Sequence, residues 1–165
     1  YLHSQTPPVI HFDLKSLNLL VDKDWRVKLS DFGEARRVEG QHWQTSKNIK
    51  GTLHWLAPEA FKYHQYTIKT DIYAAGLVLY EIFTATSPWT GFAKREIPSL
   101  VMSGKRPKLP QDLPPAIVQL IERCWNENAD SRPTAHEILQ ELQEIASKEE
   151  PQPEYVKDSV EQSPQ

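Results

Sequence analysis

Hydrophobic positions along the chain take two textures, separated by a stretch with almost none. Near the start they form short runs of strand length, Val9-Ile10, Leu19-Leu20-Val21 and Val27-Lys28-Leu29. The last two flank Asp22-Lys23-Asp24, residues suited to a turn, which predicts a β-hairpin. Ahead of them, Tyr1 to Ser4 reads as a helix end broken by Pro7-Pro8. From Asp31 to Gly51 the pattern dissolves into polar residues and predicts a long loop. A structureless loop of about twenty residues inside a compact domain is uncommon and usually functional.

Past the loop the spacing becomes helical. Residues 72–83 are apolar on nearly every face, which predicts a helix buried all round at the centre of a domain. Pro114-Pro115 opens a second helix with Ile117, Val118, Ile121, Cys124 and Trp125 on one stripe. Thr134 and Glu137 have capping-box spacing ahead of a third, which carries Ala135, Ile138, Leu139, Leu142 and Ile145. From about Ser147 the sequence is rich in Glu, Gln and Pro and predicts a disordered tail.

Composition narrows the function classes. With 165 residues, 39% hydrophobic and 25% charged, the chain suits one globular domain. A net charge of -3 gives no electrostatic footprint for nucleic acid or an anionic membrane. The apolar run Ile72–Phe83 is too short to span a bilayer and carries Glu81. The single cysteine, Cys124, excludes an intrachain disulfide and suits a reducing compartment, so a cytoplasmic location is expected.

The strings that carry chemistry are His11-Phe12-Asp13-Leu14-Lys15-Ser16-Leu17-Asn18, Ser30-Asp31-Phe32-Gly33 and Ala57-Pro58-Glu59. A hairpin's outer ends meet, so strands 19–21 and 27–29 would bring Asn18 and Asp31 together. An amide oxygen and a carboxylate suit a hard cation such as magnesium, which takes few protein ligands and keeps substrate phosphates. Asp13 then stands nearby as a possible base, and Lys15 supplies positive charge for a transferring phosphoryl group. A plainer reading makes Asp13 a loop residue bonding its own backbone, and Asp71 an acidic residue favoured at a helix start.

Together these strings resemble the protein kinase family over roughly residues 1 to 146, in which they are the catalytic loop, the magnesium-binding motif and the end of the activation segment. The fold implied is mainly α with a small β-hairpin: the C-terminal lobe of the two-lobed kinase fold (residues 1–146), its N-lobe absent, followed by the tail 147–165. The resemblance implies ATP and Mg2+ as cosubstrate and cofactor and a protein as substrate. In it Asp13 orients the substrate hydroxyl and accepts its proton, Lys15 contacts the phosphate, and Asn18 and Asp31 hold magnesium. Leu20 resembles the residue beneath the adenine ring, and His11 with Phe32 the stack whose alignment marks the active state. Glu59 and Arg132 resemble a buried ion pair that pins the activation segment, and Asp71 the carboxylate that holds the catalytic-loop backbone. His54, Trp55 and Trp125 read as packing residues.

Lys15 two residues after Asp13, and Thr52 after Gly51, resemble serine/threonine kinases. The run Lys50 to Glu59, with Cys124-Trp125 and Arg132-Pro133, looks like their tyrosine-kinase-like branch. Two departures stand out. Phe12 occupies the place of an arginine that in the family pairs with an activation-loop phosphate, so Thr45 and Ser46, plausible phosphosites, are not expected to switch activity through it. No glycine-rich loop, strand lysine or partnering helix glutamate precedes His11, so these residues alone are expected to be inactive, as part of a longer kinase or a truncated remnant. The competing reading is a pseudokinase or interaction module that binds partners through its helical face.

Overall fold

A computed structural model describes residues 1–40, 42–45 and 49–148. Six short strands pair as three separate antiparallel ribbons: β1 (Val9–Ile10) with β4 (Arg36–Arg37), β2 (Leu19–Val21) with β3 (Val27–Leu29), and β5 (Trp43–Gln44) with β6 (Gln65–Tyr66). Among the described residues there are also five α-helices, α1 (Pro58–Tyr63), α2 (Ile68–Thr84), α3 (Ile97–Met102), α4 (Pro115–Cys124) and α5 (Ala135–Lys148), and short 3-10 turns such as Ser16–Asn18 and Leu53–Trp55. The hairpin β2–β3 forms where the residue pattern predicts it. Asp22 closes its turn, its Oδ1 accepting the backbone N–H groups of Asp24 at 2.9 Å and Arg26 at 3.0 Å.

The segment 31–51 is not the structureless loop expected. β4 and β5 lie within it, each only two residues long and each paired to a strand distant in sequence. Periodicity cannot reveal a strand this short, because one alternation is no pattern.

Helix α2 is the axis of the molecule. Its start is locked by a reciprocal cap: Thr67 Oγ1 accepts the Lys69 N–H, and Thr70 Oγ1 accepts the Thr67 N–H, both at 3.0 Å. It buries Ile72, Tyr73, Ala74, Leu77, Val78 and Tyr80. Gly76 lets α4 approach closely, since a Cβ there would lie 2.7 Å from Cys124 Cβ. Burial pushes the Cys124 thiol up to about 12, so this cysteine packs as an apolar residue. Burial on all faces fails at the last turn of α2, where Ile82 and Phe83 are exposed.

The apolar stripe of α4 also includes Leu120, fully buried between Ile117 and Ile121. The expected capping box of α5 forms, with Thr134 and Glu137 each bonding the other's backbone N–H through its side chain. On α5 Ile138 is buried, but Leu139 is exposed and lies off the core face. α5 runs through Lys148, two residues beyond the expected lobe boundary, and residues 149–165 of the expected tail lie outside the described residues. Among the described residues no helix is long and apolar enough to cross a membrane.

Candidate active site

The loop after β1 is held from beneath by α2. Asp71 Oδ2 accepts the His11 N–H at 2.8 Å, and Oδ1 accepts the Phe12 N–H at 3.1 Å. His3 Nε2 reaches the same carboxylate at 2.9 Å. This clamp faces a backbone that needs it, because Phe12 has a φ of 67°, a strained value for a bulky residue. His11 ties the loop to the hairpin: its Nδ1 accepts the Asp13 N–H at 3.3 Å and its Nε2 donates to the Ser30 carbonyl at 3.0 Å. That pair of partners fits the neutral ring protonated at Nε2. The His11 and Phe32 rings meet edge to face at 5.0 Å.

Asp13, Lys15 and Thr52 close into one polar network. Lys15 Nζ donates to Asp13 Oδ2 at 2.5 Å and to Thr52 Oγ1 at 2.8 Å, while the Thr52 hydroxyl donates to Asp13 Oδ1 at 2.6 Å. Asn18 Nδ2 donates to the Asp13 carbonyl at 2.8 Å and lies 3.4 Å from Oδ2. Burial raises the Asp13 pKa, but the hydrogen bonds from Lys15 and Thr52 and the Lys15 charge outweigh it and hold the carboxyl below its ordinary value. Asp13 is therefore an oriented, ionised carboxylate with lone-pair capacity left for one more donor, and Lys15 keeps one of its three donors unassigned.

Thr52 arrives from the far end of the 31–51 segment, 39 residues away in sequence, because Gly51 brings it there. Gly51 has φ 92°, and a Cβ on it would sit 2.4 Å from the Phe12 carbonyl oxygen. Only glycine satisfies both the angle and the approach.

The open end of the hairpin forms the second half of the site. Ser30 donates to the Asn18 carbonyl through both its N–H, at 2.8 Å, and its hydroxyl, at 2.9 Å, so Asp31 follows directly after the residue facing Asn18. The Asp31 carboxylate has no hydrogen-bond or ion-pair partner among the described residues, and Asn18 uses only its amide nitrogen. Such a donor set fits one hard divalent cation shared with phosphate oxygens. Among the described residues no group of three His, Cys, Asp or Glu side chains could hold a metal, which a site of one amide and one carboxylate does not require. Leu20 (56% exposed) and Phe32 (46% exposed) stand open beside this end.

Two further sets of contacts hold Glu59 and Trp43 in place. Arg132, buried to 2% exposure, makes a bidentate pair with Glu59 at 2.7 and 2.8 Å and also donates to the carbonyls of Lys69 and Asn126. Phe12 makes an aromatic cluster with Trp43 and Tyr66, ring centroids 5.0 to 5.7 Å apart, all edge to face. Tyr66 then accepts the Lys50 N–H at 2.6 Å and donates to the Lys50 carbonyl at 3.2 Å. Of the expected phosphosites, Thr45 pairs through its N–H with the His64 carbonyl at 3.2 Å, and Ser46 lies outside the described residues.

Comparison with known proteins bears on this geometry. The family model described as protein tyrosine and serine/threonine kinase matches residues 1–142. The chain belongs to this family. A probable serine/threonine-protein kinase of Dictyostelium discoideum is 43% identical over 142 residues, which is 86% of this chain and 13% of that protein. The probable serine/threonine-protein kinase SIS8 of Arabidopsis thaliana is 38% identical over 146 residues, 88% of this chain and 14% of its own length. The serine/threonine-protein kinase CTR1 of the same plant is 36% identical over 154 residues, 93% of this chain and 19% of its own length. This kinase chain thus spans less than a quarter of the length of these relatives. Membership in the family implies ATP and a divalent metal.

Sequence reasoning missed several members of the site. Trp43 and Tyr66 gave no local signal, since their contact with Phe12 is made across three segments. Ser16 and Glu81 were also missed, and Trp55, taken as packing alone, also donates its indole N–H to Glu81 at 2.8 Å. For Glu81 a signal existed: it is the lone charge in the apolar run 72–83.

Proposed function

We propose that this chain is the C-terminal lobe of a protein serine/threonine kinase that transfers the γ-phosphate of ATP to Ser or Thr hydroxyls of a protein. The observation that carries the reading is the closed network of Asp13, Lys15 and Thr52. In this mechanism Asp13 accepts a hydrogen bond from the substrate hydroxyl, orients its oxygen toward the γ-phosphorus and takes its proton as the new O–P bond forms. The bond from the γ-phosphorus to the ADP oxygen breaks, and Lys15 directs its free donor at the transferring group. Asn18 and Asp31 would hold the divalent cation, which would supply charge neutralisation at the phosphate oxygens. Leu20 supplies an apolar surface for the adenine ring. Asp71, His11, Glu59 and Arg132 keep these groups in register without touching substrate.

The exposed apolar side chains of the hairpin, Leu20, Val21 and Val27, support the lobe assignment, because a covering lobe would remove them from water. Serine/threonine preference rests on Lys15 and Thr52 and on the relatives' names. The domain reading is a lobe of residues 1–146, extended by the last residues of α5 to Lys148, followed by a tail.

The test is transfer of labelled phosphate from magnesium-ATP to a basic protein substrate, using the longest natural chain that contains these residues and Asp13→Asn as control. Label on Ser or Thr that disappears in the variant is the expected result. A folded wild-type protein that transfers nothing would overturn the reading in favour of an interaction module.

A further inference from the structure

Glu81 lies in the second half of α2, partly buried, with both carboxylate oxygens engaged. Oε1 accepts the Ser16 hydroxyl at 3.0 Å, and Oε2 accepts the Trp55 indole N–H at 2.8 Å. The two donors come from the two segments that meet at Asp13. Ser16 directly follows Lys15 and opens the short turn that ends at Asn18. Trp55 closes the turn that begins at Thr52, whose carbonyl accepts the Trp55 N–H at 3.0 Å. One side chain on the central helix therefore fastens the Lys15 side and the Thr52 side of the network at once.

Satisfying a buried indole N–H does not require a carboxylate, since a neutral acceptor would do. Among the described residues no cation pairs with Glu81, and burial pushes its carboxyl pKa up against the opposing pull of the Trp55 and Ser16 hydrogen bonds. The chain thus retains a desolvated acid whose partners are two donors from two segments of the site. We infer that Glu81 is a positioning residue for phosphoryl transfer, setting the separation of Lys15 and Thr52 about Asp13 through Ser16 and Trp55. The inference rests on the reading of Asp13 as the group that accepts the substrate proton.

The experiment compares Glu81→Leu, Glu81→Gln, Ser16→Ala and Trp55→Phe in the longest natural chain, measuring kcat, KM for ATP and thermal stability. A glutamine can accept from Trp55 through its oxygen and donate to Ser16 through its nitrogen, whereas leucine can do neither. The expected result is a fall in kcat on the order of 10- to 100-fold for Glu81→Leu, as sub-ångström misplacement of reacting groups produces, with KM for ATP nearly unmoved. Glu81→Gln is expected to recover kcat to within about threefold, and the Trp55→Phe and Glu81→Leu effects to be non-additive. Unchanged kcat in Glu81→Leu, or no recovery in Glu81→Gln at equal stability, would overturn the inference. Should Glu81→Leu not fold, the single-arm variants Ser16→Ala and Trp55→Phe decide: each must lower kcat without moving KM for ATP, and unchanged kcat in both refutes the tie. If the wild type itself transfers no phosphate, the functional reading fails separately. Amide exchange at residues 14–18 and 52–56 then decides the tie: faster in Glu81→Leu and restored in Glu81→Gln supports it, and no change refutes it.

Discussion

Asp13 has side-chain donors from Lys15, Thr52 and Asn18 within 3.4 Å, whereas the Asp31 carboxylate meets none among the described residues. Both are loop aspartates with a positive or strained backbone close by, Phe12 at φ 67° and Asp31 itself at φ 59°. That difference in surroundings matches the different tasks proposed for them. The half of the site that would meet the substrate hydroxyl is closed by contacts within this chain, so its geometry exists before any ligand arrives. The half at the hairpin's open end presents oxygens unpaired among the described residues and exposed apolar side chains, and on the proposed reading a cation, a nucleotide and a covering surface would complete it. On the proposed reading, preorganisation is concentrated where a proton would be taken, and left out where a multiply charged ligand could organise its own site.

Substitutions on the two sides should therefore fail in different ways. The largest effect is expected for Asp13→Asn, which keeps the shape but loses the acceptor: kcat should fall on the order of 10²- to 10⁴-fold while the thermal transition stays cooperative. Removing one partner of the Glu59–Arg132 pair comes next. Arg132→Ala leaves the partly buried Glu59 carboxylate without its cation and should cost up to about 3 kcal/mol in denaturant unfolding.

On the open side, Asp31→Asn should raise the magnesium requirement by about tenfold or more without destabilising the fold, since no described residue leans on that carboxylate. Magnesium titration of activity, read beside the melting curve, checks both halves of that statement. The smallest effect is expected for Leu20→Ala, a modest rise in KM for ATP with a stability change within about 0.5 kcal/mol. A large loss of stability in Asp31→Asn, or an unaltered magnesium requirement, would break the contrast between the halves.

What was legible in the sequence follows the same division. The hairpin, the helices α2, α4 and α5 and the cap of α5 were readable because each is specified by neighbours within a turn or two: Asp22 bonding Asp24 and Arg26, or Thr134 exchanging bonds with Glu137, whereas the short helices α1 and α3 and the Thr67–Thr70 cap were not. Residues carrying motif chemistry were named from the strings they occupy. Contacts between distant segments were not readable. The two-residue strands β4 and β5 are too short to show a period, and the Phe12–Trp43–Tyr66 cluster is assembled from three places in the chain. Phe12 was recognisable as a departure from the usual arginine, but not as a member of an apolar cluster with Trp43 and Tyr66. Exposure of Ile82, Phe83 and Leu139 was likewise hidden, since apolar composition alone does not say which face of a helix has a neighbour.

The central claim is that Lys15 and Thr52 hold Asp13 ionised and oriented before substrate binds. Its sign can be worked out. The folded pKa of Asp13 is depressed, so the network contributes fully to stability above the unfolded carboxyl value of about 3.9, and the contribution is lost as pH falls through the lower folded value. The most direct measurement is the titration of the Asp13 side-chain carboxyl by carbon NMR, without ATP, in the wild type and in Thr52→Ala. The account predicts a midpoint below the ordinary aspartate value in the wild type and a higher one in the variant. An ordinary midpoint, indifferent to the loss of the Thr52 hydroxyl, would contradict it.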